Sequence, residues 1–190
     1  MSIGPLEKKI RERKLIPLHE SRYYLIEVPF DMAPDGIRKR LLEFPAMGKI
    51  PVLAHPERYF CVQDTPELLY EFREMGAVLQ INKGSVFGRF GEEAERTARF
   101  LLENRLAGCV ASDAHGADYR TTDMRPVRQF LEERYGEAYA QLFSESESEK
   151  NPGGPSDFSM NRPRNEKRKR RWFLLKNRKN GRYRKRKEHL

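Results

Sequence analysis

The stretch "GCVASDAHG" (residues 108–116) begins as a short apolar run and ends on a carboxylate and an imidazole, Asp113 and His115. Three runs of the same kind precede it: "YYLIEV" (23–28), "IPVLAH" (50–55) and "AVLQIN" (77–82). None alternates cleanly between apolar and polar, which is the pattern of strands buried on both faces of a parallel sheet. Helical patterns lie between them. "TPELLYEFREMG" (65–76) has Thr65 as N-cap, Pro66 at the first helical position, Leu68, Leu69 and Phe72 on one face, and Gly76 as the stop. "EEAERTARFLLENRLAG" (92–108) repeats that logic and ends at Gly108. "DMRPVRQFLEERYGEAYAQLF" (123–143) supplies a last helix with a bend near Gly136. Alternation of this kind predicts an α/β fold with right-handed crossovers.

The chain's 190 residues suffice for one domain and a tail. Its net charge of +9 is unevenly spread. Residues 162–190 hold 15 Lys and Arg against Glu166 and Glu188, which leaves the body near neutral. The body, residues 1–143, is followed by a linker rich in Ser, Glu, Pro and Gly (144–163) and a basic low-complexity tail (164–190). The tail has too little apolar sequence to build a core and reads as disordered. Two cysteines, Cys61 and Cys109, make no disulfide framework and fit a reducing compartment, where they serve as small core residues. Residues 1–14 are rich in charge and offer no signal-peptide core, and no run approaches the roughly 18 apolar residues of a membrane span. The expected setting is cytoplasmic.

In α/β folds, sites form at the carboxyl ends of the strands. Three of the strands end in polar groups: His55, Asn82, and Asp113 with His115. Residues at i and i+2 of a strand share a face, so Asp113 and His115 can reach one point, with His55 converging from a neighbouring strand. A carboxylate with two imidazoles is ordinary chemistry for a divalent metal. Each residue also has a structural reading, because a lone strand-end histidine is often simply a satisfied core residue. His19 and His189 keep that reading. Arg58, three residues after His55, is either a solvated arginine or a planar fork for an anion. Asn82, Lys83 and Ser85 in "INKGS" can cap a helix, with Gly84 making the turn.

Taken together and in this order, "PVLAHPERY" (51–59), "LQINKGSVFGRFG" (79–91) and "VASDAHG" (110–116) resemble the manganese-dependent protein-tyrosine phosphatases of the polymerase-and-histidinol-phosphatase (PHP) superfamily, found in bacterial capsule and exopolysaccharide clusters. "IPLHESRYYLIEVP" (16–29) also resembles that family's segment before the His motif. The resemblance covers about residues 6–143. It implies the C-terminal portion of a distorted (β/α)7 barrel with a cluster of Mn2+ ions at its carboxyl end. It also implies hydrolysis of phosphotyrosine on proteins, with bacterial tyrosine kinases as partners. By this resemblance His55, Asp113 and His115 are metal ligands, Arg58 contacts phosphate beside the metals, and Arg120 is a second phosphate contact.

The chain departs from the family at its start. The family opens with a His–x–His strand and has a ligating Glu ahead of the segment where this chain begins; neither is found here. The N-terminal metal-ligand half is therefore expected to be missing, and the chain as written to hold metal poorly. The basic tail is also foreign to the family pattern. A reading from another class is an inactive fragment or non-catalytic module whose tail, with Trp172, Phe173 and Tyr183 among its Lys and Arg, binds nucleic acid or another polyanion.

Overall fold

The computed structural model describes residues 15, 17, 18, 21–112 and 123–143. Four parallel strands form one sheet in the order β1 (Tyr23–Ile26), β2 (Ile50–Ala54), β3 (Val78–Asn82), β4 (Ala107–Ala111). Each coincides with one of the apolar runs. The chain returns between strands through α1 (Pro34–Leu42), then α2 (Phe60–Asp64) with α3 (Leu68–Glu74), then α4 (Lys83–Val86) with α5 (Glu92–Glu103). After β4 come α6 (Arg125–Tyr135) and α7 (Glu137–Ala140). The α/β class and parallel sheet agree with the sequence reading.

Local details differ from it, each for a visible reason. α1 was not anticipated: only Ile37 and Leu41 of "PDGIRKRLL" are buried, so its apolar signal is two residues in a charged segment. α2 was not anticipated either, and it displaces the expected start of the next helix. Thr65 is the C-cap of α2, its N–H donating to the Cys61 carbonyl at 3.0 Å, so α3 begins only at Leu68. α5 ends at Glu103 rather than Gly108. Its stop is Arg105, which takes a left-handed φ of 53°, while the Leu106 N–H closes onto the Leu101 carbonyl at 2.9 Å. The expected break at Gly136 is present: φ is 89° there, and α6 gives way to α7.

Gly108 lies inside β4, where the pairing shifts. Leu79 of β3 faces Ala107, but Gln80 faces Cys109, so Gly108 is the extra residue of a bulge. A Cβ at Gly108 would sit 2.5 Å from Cγ1 of Val78. Only glycine lets the two strands approach there, and the bulge resets the alternation of the residues that follow.

The core is one apolar cluster. Leu53, Leu79 and Ile81 of the sheet pack with Ile37 and Leu41 of α1, Leu69 and Phe72 of α3, Ala98 and Leu101 of α5, and Leu131 of α6. All ten are essentially inaccessible to solvent. Fully burying a side chain of this kind contributes roughly 1.5–3 kcal/mol, which makes the sheet a rigid base for its carboxyl ends. Among the described residues no helix is long and apolar enough to cross a membrane.

Candidate active site at the carboxyl ends of the strands

β1 and β2 are adjacent and parallel, so the residues that follow them emerge side by side. Glu27 follows β1 and His55 follows β2. His55 Nε2 lies 3.0 Å from Oε1 of Glu27. The imidazole is nearly buried and the carboxylate is mostly open to solvent, with side-chain exposures of 8% and 62%. Sequence reasoning missed Glu27, although "YYLIEV" carried the signal: a fourth strand ending in a polar side chain.

His55 has a left-handed backbone, φ 32° and ψ 55°, an uncommon state for a residue with a side chain. It opens a 3-10 turn, Pro56–Arg58, closed by the Arg58 N–H on the His55 carbonyl at 3.0 Å. Aromatic rings hold the imidazole. Phe30 and Tyr59 meet it edge-on, with centroids at 5.6 and 6.0 Å. The Tyr59 hydroxyl donates to the Ala54 carbonyl at 2.7 Å, fixing that ring to the end of β2.

Glu57, inside the same turn, is completely buried and also escaped the sequence reading. Its Oε1 accepts from the Asn82 N–H at 3.0 Å and from the Ser85 hydroxyl at 2.6 Å. Its Oε2 has no hydrogen-bond partner among the described residues. Burial pushes the carboxyl up to about 7, against the opposing pull of the Ser85 and Asn82 hydrogen bonds. The side chain thus ties the turn carrying His55 and Arg58 to the end of β3. The "INKGS" segment divides its roles. Asn82 Oδ1 caps α4 by accepting from the Gly84 N–H at 2.7 Å, Ser85 serves Glu57, and Lys83 Nζ donates to the Asp123 carbonyl at 2.9 Å.

Arg58 leaves the turn between two rings. Its guanidinium carbon sits 4.5 Å from the Phe30 centroid and 4.2 Å from that of Phe90. Both distances are within cation–π range. The solvated-surface reading of Arg58 therefore gives way to a held cation one turn from His55. Neither cysteine is an activated thiol: burial pushes Cys109 up to about 12 and also raises Cys61, the opposite of a nucleophilic cysteine.

Asp113, His115 and Arg120 lie outside the described residues, as do His19, the linker and the tail. β4 spans Ala107–Ala111, and the alignment of Asp113 with His115 expected from a strand face lies outside the described residues. Among the described residues no group of three or more His, Cys, Asp or Glu side chains converges as a metal site. What the fold does bring together is a pair: an imidazole nitrogen and a carboxylate oxygen, one open to solvent, on adjacent strand ends. That donor set suits a borderline or hard divalent cation such as Mn2+ or Zn2+.

The model of the family described as capsular polysaccharide synthesis, CpsB/CapC, matches residues 4–150. The tyrosine-protein phosphatase YwqE of Bacillus subtilis is 35% identical over 143 residues, covering 75% of this chain and 56% of that protein. A putative tyrosine-protein phosphatase, CapC of Staphylococcus aureus, is 33% identical over 130 residues, covering 68% and 50%. A solved structure, from work on YwqE of Bacillus subtilis and CpsB of Streptococcus pneumoniae described as unique metal-dependent tyrosine phosphatases, superposes with a TM-score of 0.68 at 34% identity, covering 78% of this chain and 59% of the other. The chain thus spans about half the length of the curated relatives it matches.

Proposed function

The chain belongs to the CpsB/CapC family of capsular polysaccharide synthesis, and from that we propose that it takes part in metal-dependent hydrolysis of phosphotyrosine on proteins. The metal is Mn2+, and the substrate is a phosphorylated bacterial tyrosine kinase of capsule or exopolysaccharide synthesis. The described sheet supplies one part of the site, at the carboxyl end of a PHP-type barrel. The observation that carries this reading is the meeting of Glu27 and His55 at 3.0 Å beside an arginine held between two rings.

The roles follow from the chemistry of the side chains. Glu27 and His55 hold the metal, with Asp113 and His115 as further ligands. When bound, the metal supplies positive charge for the phosphoryl oxygens and lowers the pKa of water held there. Arg58 binds the phosphate and stabilises the charge that develops during transfer. Glu57 holds His55 and Arg58 on one turn. Arg120 adds a second cation for the phosphate. No cysteine nucleophile takes part, in keeping with two thiols whose burial disfavours ionisation.

The test is to measure release of phosphate from a phosphotyrosine peptide with and without Mn2+, alongside bound metal. The expected result is hydrolysis that requires the metal and is lost in His55→Ala and Asp113→Asn. Mn2+ binding that is indifferent to Glu27 and His55, or hydrolysis that survives chelation, defeats the reading.

A further inference from the structure

Arg58 opens onto a cleft of about 560 Å³, lined also by Phe30, Phe60, Gln63, Phe90 and two carboxylates, Glu92 and Glu93. Its size falls within the roughly 300–1,000 Å³ of ordinary ligand clefts. The walls are fixed from several directions. The Phe30 ring is pinned between His55 and Arg58. The Phe90 ring packs over Gly84 so closely that a Cβ there would stand 2.6 Å from its Cε2. The Phe60 N–H donates to the Phe30 carbonyl at 2.9 Å, joining the start of α2 to the segment after β1. Yet Phe60 is 57% exposed.

A lone exposed phenylalanine needs no explanation. This one shares a cleft with a guanidinium already held by two rings, and that combination has a chemistry. A guanidinium placed over rings keeps its in-plane N–H donors for an oxyanion. An exposed ring at the lip of the same cleft then meets whatever apolar group the oxyanion carries. An alkyl phosphate offers that ring little, whereas an aryl phosphate offers a second ring for offset or edge-on packing.

Resting on the phosphatase reading above, we propose that the Phe30–Phe60–Phe90 cleft is the aryl subsite that makes the enzyme select aryl over alkyl phosphate monoesters. Arg58 takes the phosphate, and Phe60 is the platform for the phenyl ring of phosphotyrosine. Phe30 and Phe90 hold Arg58 in place. Glu92 and Glu93, exposed in the same cleft, disfavour acidic groups on the substrate and favour a basic residue beside the tyrosine.

The test uses the full 190-residue chain and two probes that cannot be hydrolysed, phenylphosphonate and methylphosphonate, followed by NMR of the aromatic and arginine side chains. Both probes should shift the Arg58 side-chain resonances, and only phenylphosphonate should shift those of Phe60. Phenylphosphonate should bind about 2- to 10-fold more tightly, the range expected of one aromatic pair. Phe60→Ala should erase that preference while methylphosphonate still binds, and Phe60→Tyr, which keeps the ring, should restore it. Circular dichroism confirms that each variant is folded. Equal affinities for the two probes, or a preference that survives Phe60→Ala, overturns the subsite and leaves the phosphatase reading standing. If neither probe shifts Arg58, both the subsite and the phosphate role of Arg58 fall.

Discussion

Glu27 and His55 meet at 3.0 Å because their strands are adjacent and parallel and end within one residue of each other in register. Nothing in the local sequence of either residue requires the contact; the sheet imposes it. Glu27→Gln removes the ionised oxygen while keeping the shape of the side chain. It should lower Mn2+ affinity at least tenfold, since even outer-shell changes typically cost about 10–100-fold in affinity or activity. The mostly exposed Glu27 side chain makes little difference to folding, so thermal stability should barely move. Titration of Mn2+ by electron paramagnetic resonance, with melting curves beside it, separates the two effects. Unchanged affinity would remove Glu27 from the ligand set.

Arg58→Lys keeps the charge and loses the planar fork and its stacking between Phe30 and Phe90. Turnover of phosphotyrosine should fall on the order of 10²-fold, the usual cost of removing one donor from a developing oxyanion. Metal content should be unchanged. Equal turnover in mutant and parent would return Arg58 to a structural role.

The four strands, the parallel sheet and the strand-end position of His55 were legible in the sequence because each rests on a contiguous signal: an apolar run followed by a polar residue. α1 and α2 were not. One buries only two residues, and the other is five residues long behind a proline turn. Glu27 was overlooked because its pairing with His55 comes from strand adjacency. Glu57 was overlooked because a glutamate between a proline and an arginine looks solvated, and only the fold reveals that it is fully buried. The Asp113–His115 pairing rested on a regular strand. Both residues lie outside the described ones, beyond β4 and its bulge at Gly108.

Glu57 gives the fold a pH dependence whose sign is fixed by its buried carboxyl. The ordinary value is 4.5 and the folded value is about 7, so the folded protein binds more protons than the unfolded chain between those limits. Stability should therefore fall as pH rises from about 4.5 to 7 and level off above, by up to about 3 kcal/mol from this group. Glu57→Gln keeps an oxygen to accept from Asn82 and Ser85 and carries no proton to lose. It should flatten that part of the profile, and it should be relatively more stable than the parent at pH 8. Urea unfolding at a series of pH values measures this. A parent profile without the slope would mean that the carboxyl is not held neutral by burial.

Gly108→Ala tests whether the bulge is a packing requirement. The added methyl would meet Val78 Cγ1 at 2.5 Å, closer than a real Cβ contact allows, and both residues belong to paired strands with little room to yield. Overpacking of this kind typically costs about 1–3 kcal/mol. The second substitution, Val78→Ala, removes the opposing methyl and should recover most of the loss in the double variant, less the cost of its own cavity. Recovery would show that one contact sets the distance between β3 and β4. A Gly108→Ala variant as stable as the parent would show that the strands separate freely, so that the bulge does not constrain the segment leading to Asp113.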